Sequence, residues 1–215
     1  MLSCFIDHIA VTAPALETGA EFVHRVLGVR PRTGGEHPRM GTHNLLLRLG
    51  ENVYLEVISP NPGAEPPERP RWFALDTLGP DSVPSLAAWV ARTDDIRVSV
   101  NSSPEDLGEI EAMSRGSLDW LITIKPDGSL PLGGAAPSLI QWKKGEQHPA
   151  ARLEDHGLSL VRLDLFHPDP ERVSRLLRSL SIEGPLMVEP TPHDQPPCLF
   201  AHIRTPRGLR TLSTV

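Results

Sequence analysis

An ionisable side chain in the middle of an apolar strand costs several kcal/mol unless a partner satisfies it, and this chain carries two strands of that kind. Within the stretch Gly34 to Pro60, GGEHPRMGTHNLLLRLGENVYLEVISP, the run VYLEVI alternates so that Tyr54, Glu56 and Ile58 share one face and Val53, Leu55 and Val57 the other. Both faces are apolar apart from Glu56, which therefore needs a cation, a metal or a donor beside it. The preceding run LLLRLG sets Leu45, Leu47 and Leu49 on one face of a strand. At the start of the chain, CFIDHIAVTAP puts Ile6, His8 and Ala10 on one side and Phe5, Asp7, Ile9 and Val11 largely on the other. A His and a Glu that each face a core form either a satisfied pair or part of a divalent-metal site, since imidazole and carboxylate suit zinc, iron, manganese or nickel.

The order of these pieces carries more information than either strand alone. IDHIAV, a helix ending in LG, a GG-x-H-x-x-x-GT-x-N loop and YLEVI follow one another between Ile6 and about Asn61. That succession resembles the first module of a glyoxalase-like domain of the vicinal oxygen chelate superfamily. The resemblance implies βαβββ modules that pair into a curved sheet around a cleft. It also implies metal ligands at His8 and Glu56, and a loop matched by Gly34, Gly35, His37, Gly41, Thr42 and Asn44.

Length and composition set the outer limits. A chain of 215 residues, 39% of them hydrophobic, suffices for one large or two small packed domains. A net charge of -6 argues against nucleic acid or an anionic membrane as the main partner. Cys4 and Cys198 form no short-spaced motif, no signal peptide pattern precedes the first strand, and no stretch reaches the ~18 apolar residues of a membrane span. A cytoplasmic location is the expectation. There is no G-x-S-x-G elbow, P-loop, G-x-G-x-x-G after a strand or C-x-x-C pair.

Along the chain, Pro14, the stripe Leu16, Ala20, Val23 and Leu27, and Gly28 as a stop delimit a first helix, with His24 off the stripe and on the surface. SPNPGAEPPERPR is a connection between modules, because its prolines block helix and ladder alike. A second βαβββ order follows: PSLAAWVART with Leu86, Ala88 and Val90 on one face, a short helix within Thr93 to Asn101, then EIEAMSRG, LDWLITIKPDG and PSLIQWKK. Ala88 falls where His8 stands in the first module, and Gln141 where Glu56 stands. GEQHPAARLEDHG is a polar connector with His148 and His156 on its surface. GLSLVRLDLF, a helix capped by Asp169 with Val173, Leu176, Leu177 and Leu180 as its stripe, and three short strands read as a third, smaller copy of the unit. Arg162 there either points outward or holds an acidic substrate.

These readings predict an α+β chain of repeated βαβββ modules, its curved, mostly antiparallel sheet wrapped around a cleft with the helices outside. The modules span 1-61, 71-146 and 157-215. The predicted site has His8, Glu56 and His37 as ligands of a divalent metal (zinc, nickel, manganese or iron), Glu56 also moving a proton, and Asn44 and Gln141 touching substrate. Two functions stay open: a metal-dependent lyase, isomerase or dioxygenase acting on vicinal oxygens, and a metal-free module that binds or sequesters a small molecule. The expected partners are that small molecule and, as an open alternative, a second copy of the chain in a homodimer.

Overall fold

The computed structural model describes residues 3–116, 118–145, 147–192 and 195–214. Its first unit is β1 (Cys4–Thr12), α1 (Leu16–Leu27), β2 (Arg32–His37), β3 (Thr42–Arg48) and β4 (Tyr54–Pro60), and its second is β5 (Ser85–Thr93), α2 (Ile96–Ser102), β6 (Glu109–Arg115), β7 (Leu118–Ile124) and β8 (Ser138–Trp142). The eight strands form one curled sheet in the order β2-β3-β4-β1-β5-β8-β7-β6. Within each unit the last strand lies parallel to the first, β4 beside β1 and β8 beside β5, and the units join through the antiparallel pair β1 and β5. This half-barrel is the curved, mostly antiparallel α+β sheet that the sequence predicts. α2 begins later than expected, at Ile96, because Thr93 still belongs to β5 and Asp95 accepts bonds from the backbone N–H groups of Arg97 and Val98.

After α3 (Pro149–Arg152), the last part of the chain holds β9 (Ser159–His167), α4 (Pro170–Ser179), β10 (Ile182–Glu183), β11 (Leu186–Pro190), β12 (Cys198–Thr205) and β13 (Gly208–Ser213). Its helix is as read: the Asp169 carboxylate accepts from the Arg172 N–H, and Val173, Leu176 and Leu180 are buried. Its pairing is different. β9 takes β11 in parallel on one side and β12 antiparallel on the other, giving a four-stranded sheet β11-β9-β12-β13, while β10 adds to β1 of the large sheet. Strand-like runs around one amphipathic helix look alike in sequence whichever order they pair in. The small sheet covers the convex side of the large one, where Leu163, Leu165, Leu199, Ala201 and Leu212 share a core with Leu86, Trp89 and Leu139. The outer layer is therefore helices and a second sheet, not helices alone.

Two β-bulges decide which side chains face inward. The β1/β5 register slips between Ile6 and His8 and again between Ala10 and Val11, leaving Asp7 and Ala87 as the extra residues. Cys4 and Ile6 before the first bulge join Ile9 and Val11 after it in the convex-side core, while Ala10, Ala88 and Val90 line the concave side. Ile6 and Leu86 are thus on the face opposite to the one strict alternation gives them. Among the described residues no helix is long and apolar enough to cross a membrane.

α1 approaches the sheet closely at Gly19, where an added Cβ would lie 2.4 Å from Val57 Cγ1 and 3.0 Å from Ala13 Cβ. A helix-interior Gly→Ala change ordinarily stabilises by up to about 1 kcal/mol. Here overpacking of a β-branched core residue outweighs that gain, so Gly19→Ala is expected to destabilise by about 1–2 kcal/mol in urea unfolding. A rise in the midpoint would contradict the close contact.

Candidate functional site

The first bulge brings two neighbours of one strand, Asp7 and His8, into contact with each other. His8 Nδ1 donates to Asp7 Oδ1 at 2.7 Å, and His8 Nε2 lies 3.5 Å from Glu56 Oε2 across the β1/β4 pair. Asp7 is fully buried, and its other oxygen accepts from Trp142 Nε1 and His148 Nε2, each at 2.9 Å. His148 Nδ1 accepts from the Ala150 N–H, so Nε2 is the nitrogen that donates to Asp7. Glu56 Oε1 accepts from Asn44 Nδ2. The Tyr54 ring stacks on His8 at 4.5 Å.

Burial opposes charge on all three central groups, yet the hydrogen bonds and opposite charges prevail. His8 is lifted to about 9 by Asp7 and Glu56, Glu56 falls to about 2 beside His8 and Asn44, and Asp7 falls well below the usual carboxylate range between its two histidines. The two carboxylates beside it thus favour the imidazolium form of His8. His37 goes the other way, down to about 4, because it is buried without an acidic partner of its own; its Nδ1 faces Thr42 Oγ1 at 3.1 Å, and its ring stands edge-on to Trp72 and Trp120.

The sequence-predicted residues are therefore only partly assembled. His8, Glu56 and Asn44 meet in one bonded cluster, and His37 lines the same small cavity. Gln141 does not: Ile140 and Trp142 face the cavity, whereas Gln141 points to the other side and accepts from the Ile96 N–H at 2.9 Å. The register shows why. The pair Ile9 and Trp89 lies at the centre of a local two-fold that exchanges the two bulges, so Asp7 corresponds to Ala87 and His8 to Ala88. Glu56, opposite Ala10, then corresponds to Ser138, opposite Val90. Counting along an unaligned strand missed this by three residues. His148, expected on the connector surface, is turned inward by its bond to Asp7, while Arg162 is paired with Asp164 and holds nothing in the cleft.

Asp7, Tyr54, Trp72, Arg115, Trp120, Trp142 and His148 escaped the sequence reading. Asp7 alone left a trace, as a carboxylate on what strict alternation makes a buried face; only a bulge resolves that conflict.

The cavity itself is nearly closed. The connection between β4 and β5 folds back as a strap that places Trp72 and Phe73, 4% and 6% exposed, against the concave sheet. Phe73 and Ala74 both take left-handed backbone angles, φ 55° and 54°. The strap is held by Arg71 bonded to Asp76 and to the Gly41 carbonyl, and by Arg69 bonded to Glu111 and the Lys125 carbonyl. Behind it remains about 20 Å³ lined by His8, His37, Glu56 and aromatic rings, space for one water.

The sequence profile of the glyoxalase-like domain family matches residues 6–181. The chain belongs to that family. It is thereby a vicinal oxygen chelate protein, and a solved structure shares the fold at low identity. A hypothetical protein from Staphylococcus aureus aligns over 93% of this chain and 80% of its own with a TM-score of 0.55 at 16% identity. A mutant 4-hydroxymandelate synthase from Streptomyces coelicolor gives 0.49 at 16%, over 99% and 63%. Methylmalonyl-CoA epimerase from the same organism gives 0.44 at 15%, over 68% and 99%. No curated protein matches the chain.

The family resemblance implies a divalent ion at this place, and the residues here do not fit one. The first unit supplies His8 and Glu56, but the second offers Ala88 and Ser138 where the local two-fold would place its ligands, so half of the donor set is missing. Among the described residues no three His, Cys, Asp or Glu side chains are grouped to hold a metal.

The two histidines give the cluster a pH signature. His8, raised from its usual 6.5, contributes stability present below about pH 6.5 and lost as pH rises through about 9; depressed Glu56 and Asp7 contribute stability lost only at strongly acid pH. His37, lowered to about 4, acts oppositely and only below pH 6.5. Urea unfolding between pH 6.5 and 10 should therefore show a fall on the order of a few kcal/mol. Asp7→Asn should flatten that slope, and an unchanged slope would rule out the ion cluster as its source.

Proposed function

We propose that this protein binds a small, largely aromatic or apolar molecule in the sheet-lined cleft without a metal, the Trp72–Phe73 strap moving aside as the ligand enters. The observation that carries the reading is the wall of the cavity, where Tyr54, Trp72, Phe73, Trp120 and Trp142 surround a polar floor of His8, His37 and Glu56. Flat rings with a few fixed polar groups suit a ligand held by stacking and oriented by one or two hydrogen bonds. Trp72 Nε1 is buried without an acceptor among the described residues, so a ligand oxygen would relieve it.

A second reading, proton-transfer catalysis by Glu56, is favoured by the bonded chain Glu56–His8–Asp7–His148, which runs from the cavity to a groove lined by Ser3, Phe5 and Arg92 on the outside. It is weakened by the carboxylate itself. A general base works best with a pKa near the working pH, and Glu56 lies near 2.

Thermal unfolding separates binding from metal chemistry. Nickel, zinc, manganese and ferrous iron should leave the midpoint unmoved at neutral pH, while a hit from a panel of small aromatics at a hundredfold its Kd should add about 2.7 kcal/mol. Trp120→Leu should weaken that response about tenfold. A metal-induced rise that disappears in Glu56→Gln, with no aromatic response, would reverse the proposal.

A further inference from the structure

On the other side of Arg115 from the sealed cavity lies an open groove of about 660 Å³ between β2, the β6–β7 turn and α3. Arg115 lines both spaces. The groove has apolar walls at Leu46, Leu118 and Leu153, and its charged groups are Arg115, Arg152 and an exposed Glu36 at the rim. Two cations against one carboxylate leave it positive in a protein whose net charge is -6.

Arg115 is set apart by being half-buried with nothing to hold, whereas other arginines without a hydrogen-bond or ion-pair partner among the described residues, such as Arg25, Arg97 and Arg152, are exposed. Several other guanidiniums are bonded to carboxylates: Arg39 and Arg69 to Glu111, Arg71 to Asp76, Arg162 to Asp164 and Arg172 to Glu105. Among the described residues Arg115 makes no hydrogen bond and no ion pair, although it is half-buried. Its charge reaches inward, helping to hold down the His37 pKa and opposing the rise at Tyr54. A partly desolvated guanidinium with five unused donors is a site for a planar anion.

The chain makes room for it. Gly34 and Gly35 both have φ outside the left-handed region, so backbone freedom does not call for them. Space does: a Cβ on Gly35 would lie 2.7 Å from Arg115 Cδ, and a Cβ on Gly34 2.2 Å from Asn44 Oδ1. Gly35 lets the Arg115 stem lie against β2, its side chain lining both groove and cavity, while Gly34 leaves room for Asn44 beside Glu56.

We infer that the groove is an oxyanion subsite in which Arg115 takes the carboxylate of a small amphipathic acid whose apolar part lies along Leu46, Leu118 and Leu153. Carboxylate is favoured over phosphate because one guanidinium and apolar walls match a single planar charge, while Glu36 at the rim repels a dianion. This deepens the proposed ligand-binding cleft by naming the end of the ligand held outside the cavity, and it rests on that reading.

Titration calorimetry of the full chain at low ionic strength tests it, with octanoate, octanol and inorganic phosphate as probes. Octanoate should bind at least tenfold tighter than octanol or phosphate and weaken with added salt. Arg115→Ala should cost at least tenfold, Arg115→Lys less, and Arg152→Ala little, each variant first shown to melt cooperatively. Equal affinity for octanoate and octanol, tighter binding of phosphate, no binding of octanoate, or octanoate binding indifferent to Arg115→Ala would each overturn the inference. If aromatics still stabilise the protein while octanoate fails, the subsite falls and the cleft stands.

Discussion

A buried row of alternating charges, Asp7, His8 and Glu56, is the constraint around which the concave side is built. Removing three ions from water costs several kcal/mol each, and their mutual attraction offsets this only when the remaining lone pairs and protons are also satisfied. Here they are, by Trp142 and His148 on Asp7 and by Asn44 on Glu56. These partners come from β3, β8 and the connector before α3, so the charges fix how distant segments sit on β1 and β4. Such a cluster specifies an arrangement more than it adds stability, because any slipped register would bury an unpaired ion.

The same cluster makes the cleft asymmetric. The two βαβββ units share their strand order and even their bulges, but where one carries Asp7 and His8 the other carries Ala87 and Ala88. The second unit instead supplies tryptophans and isoleucines, and the strap between the units closes over them. The result is a polar floor on one side and an aromatic wall on the other. That division supports the proposed recognition of a small molecule, and Arg115 lies between the cavity and the outer groove.

Much of the architecture was legible in the sequence because it is written in local periodicities. The stripes of α1 and α4, the apolar alternation of β3 and β4 and the proline-rich connection are each set by neighbouring residues, and their order within Ile6 to Asn61 was enough to indicate the family. His8 and Glu56 stood out for the same reason, as ionisable groups inside apolar strands. Asn44 was reached through the loop pattern and lies on Glu56.

What the sequence determined by itself was thus most of the elements and the presence of an ionisable pair in the core, while β2 within the Gly-Gly loop, α3 in the polar connector and β10 were not read. Tertiary structure decided the rest. A bulge shifts every later side chain to the opposite face without changing composition, so the contact between Asp7 and His8 could not be read from alternation. The protonation of His8 depends on a second carboxylate that only the bulge supplies. The displacement of Gln141 by Ser138 depends on inter-strand register, the roles of His148 and Trp72 depend on connections that carry no periodic signal, and that of Arg115 depends on what the end of β6 folds against.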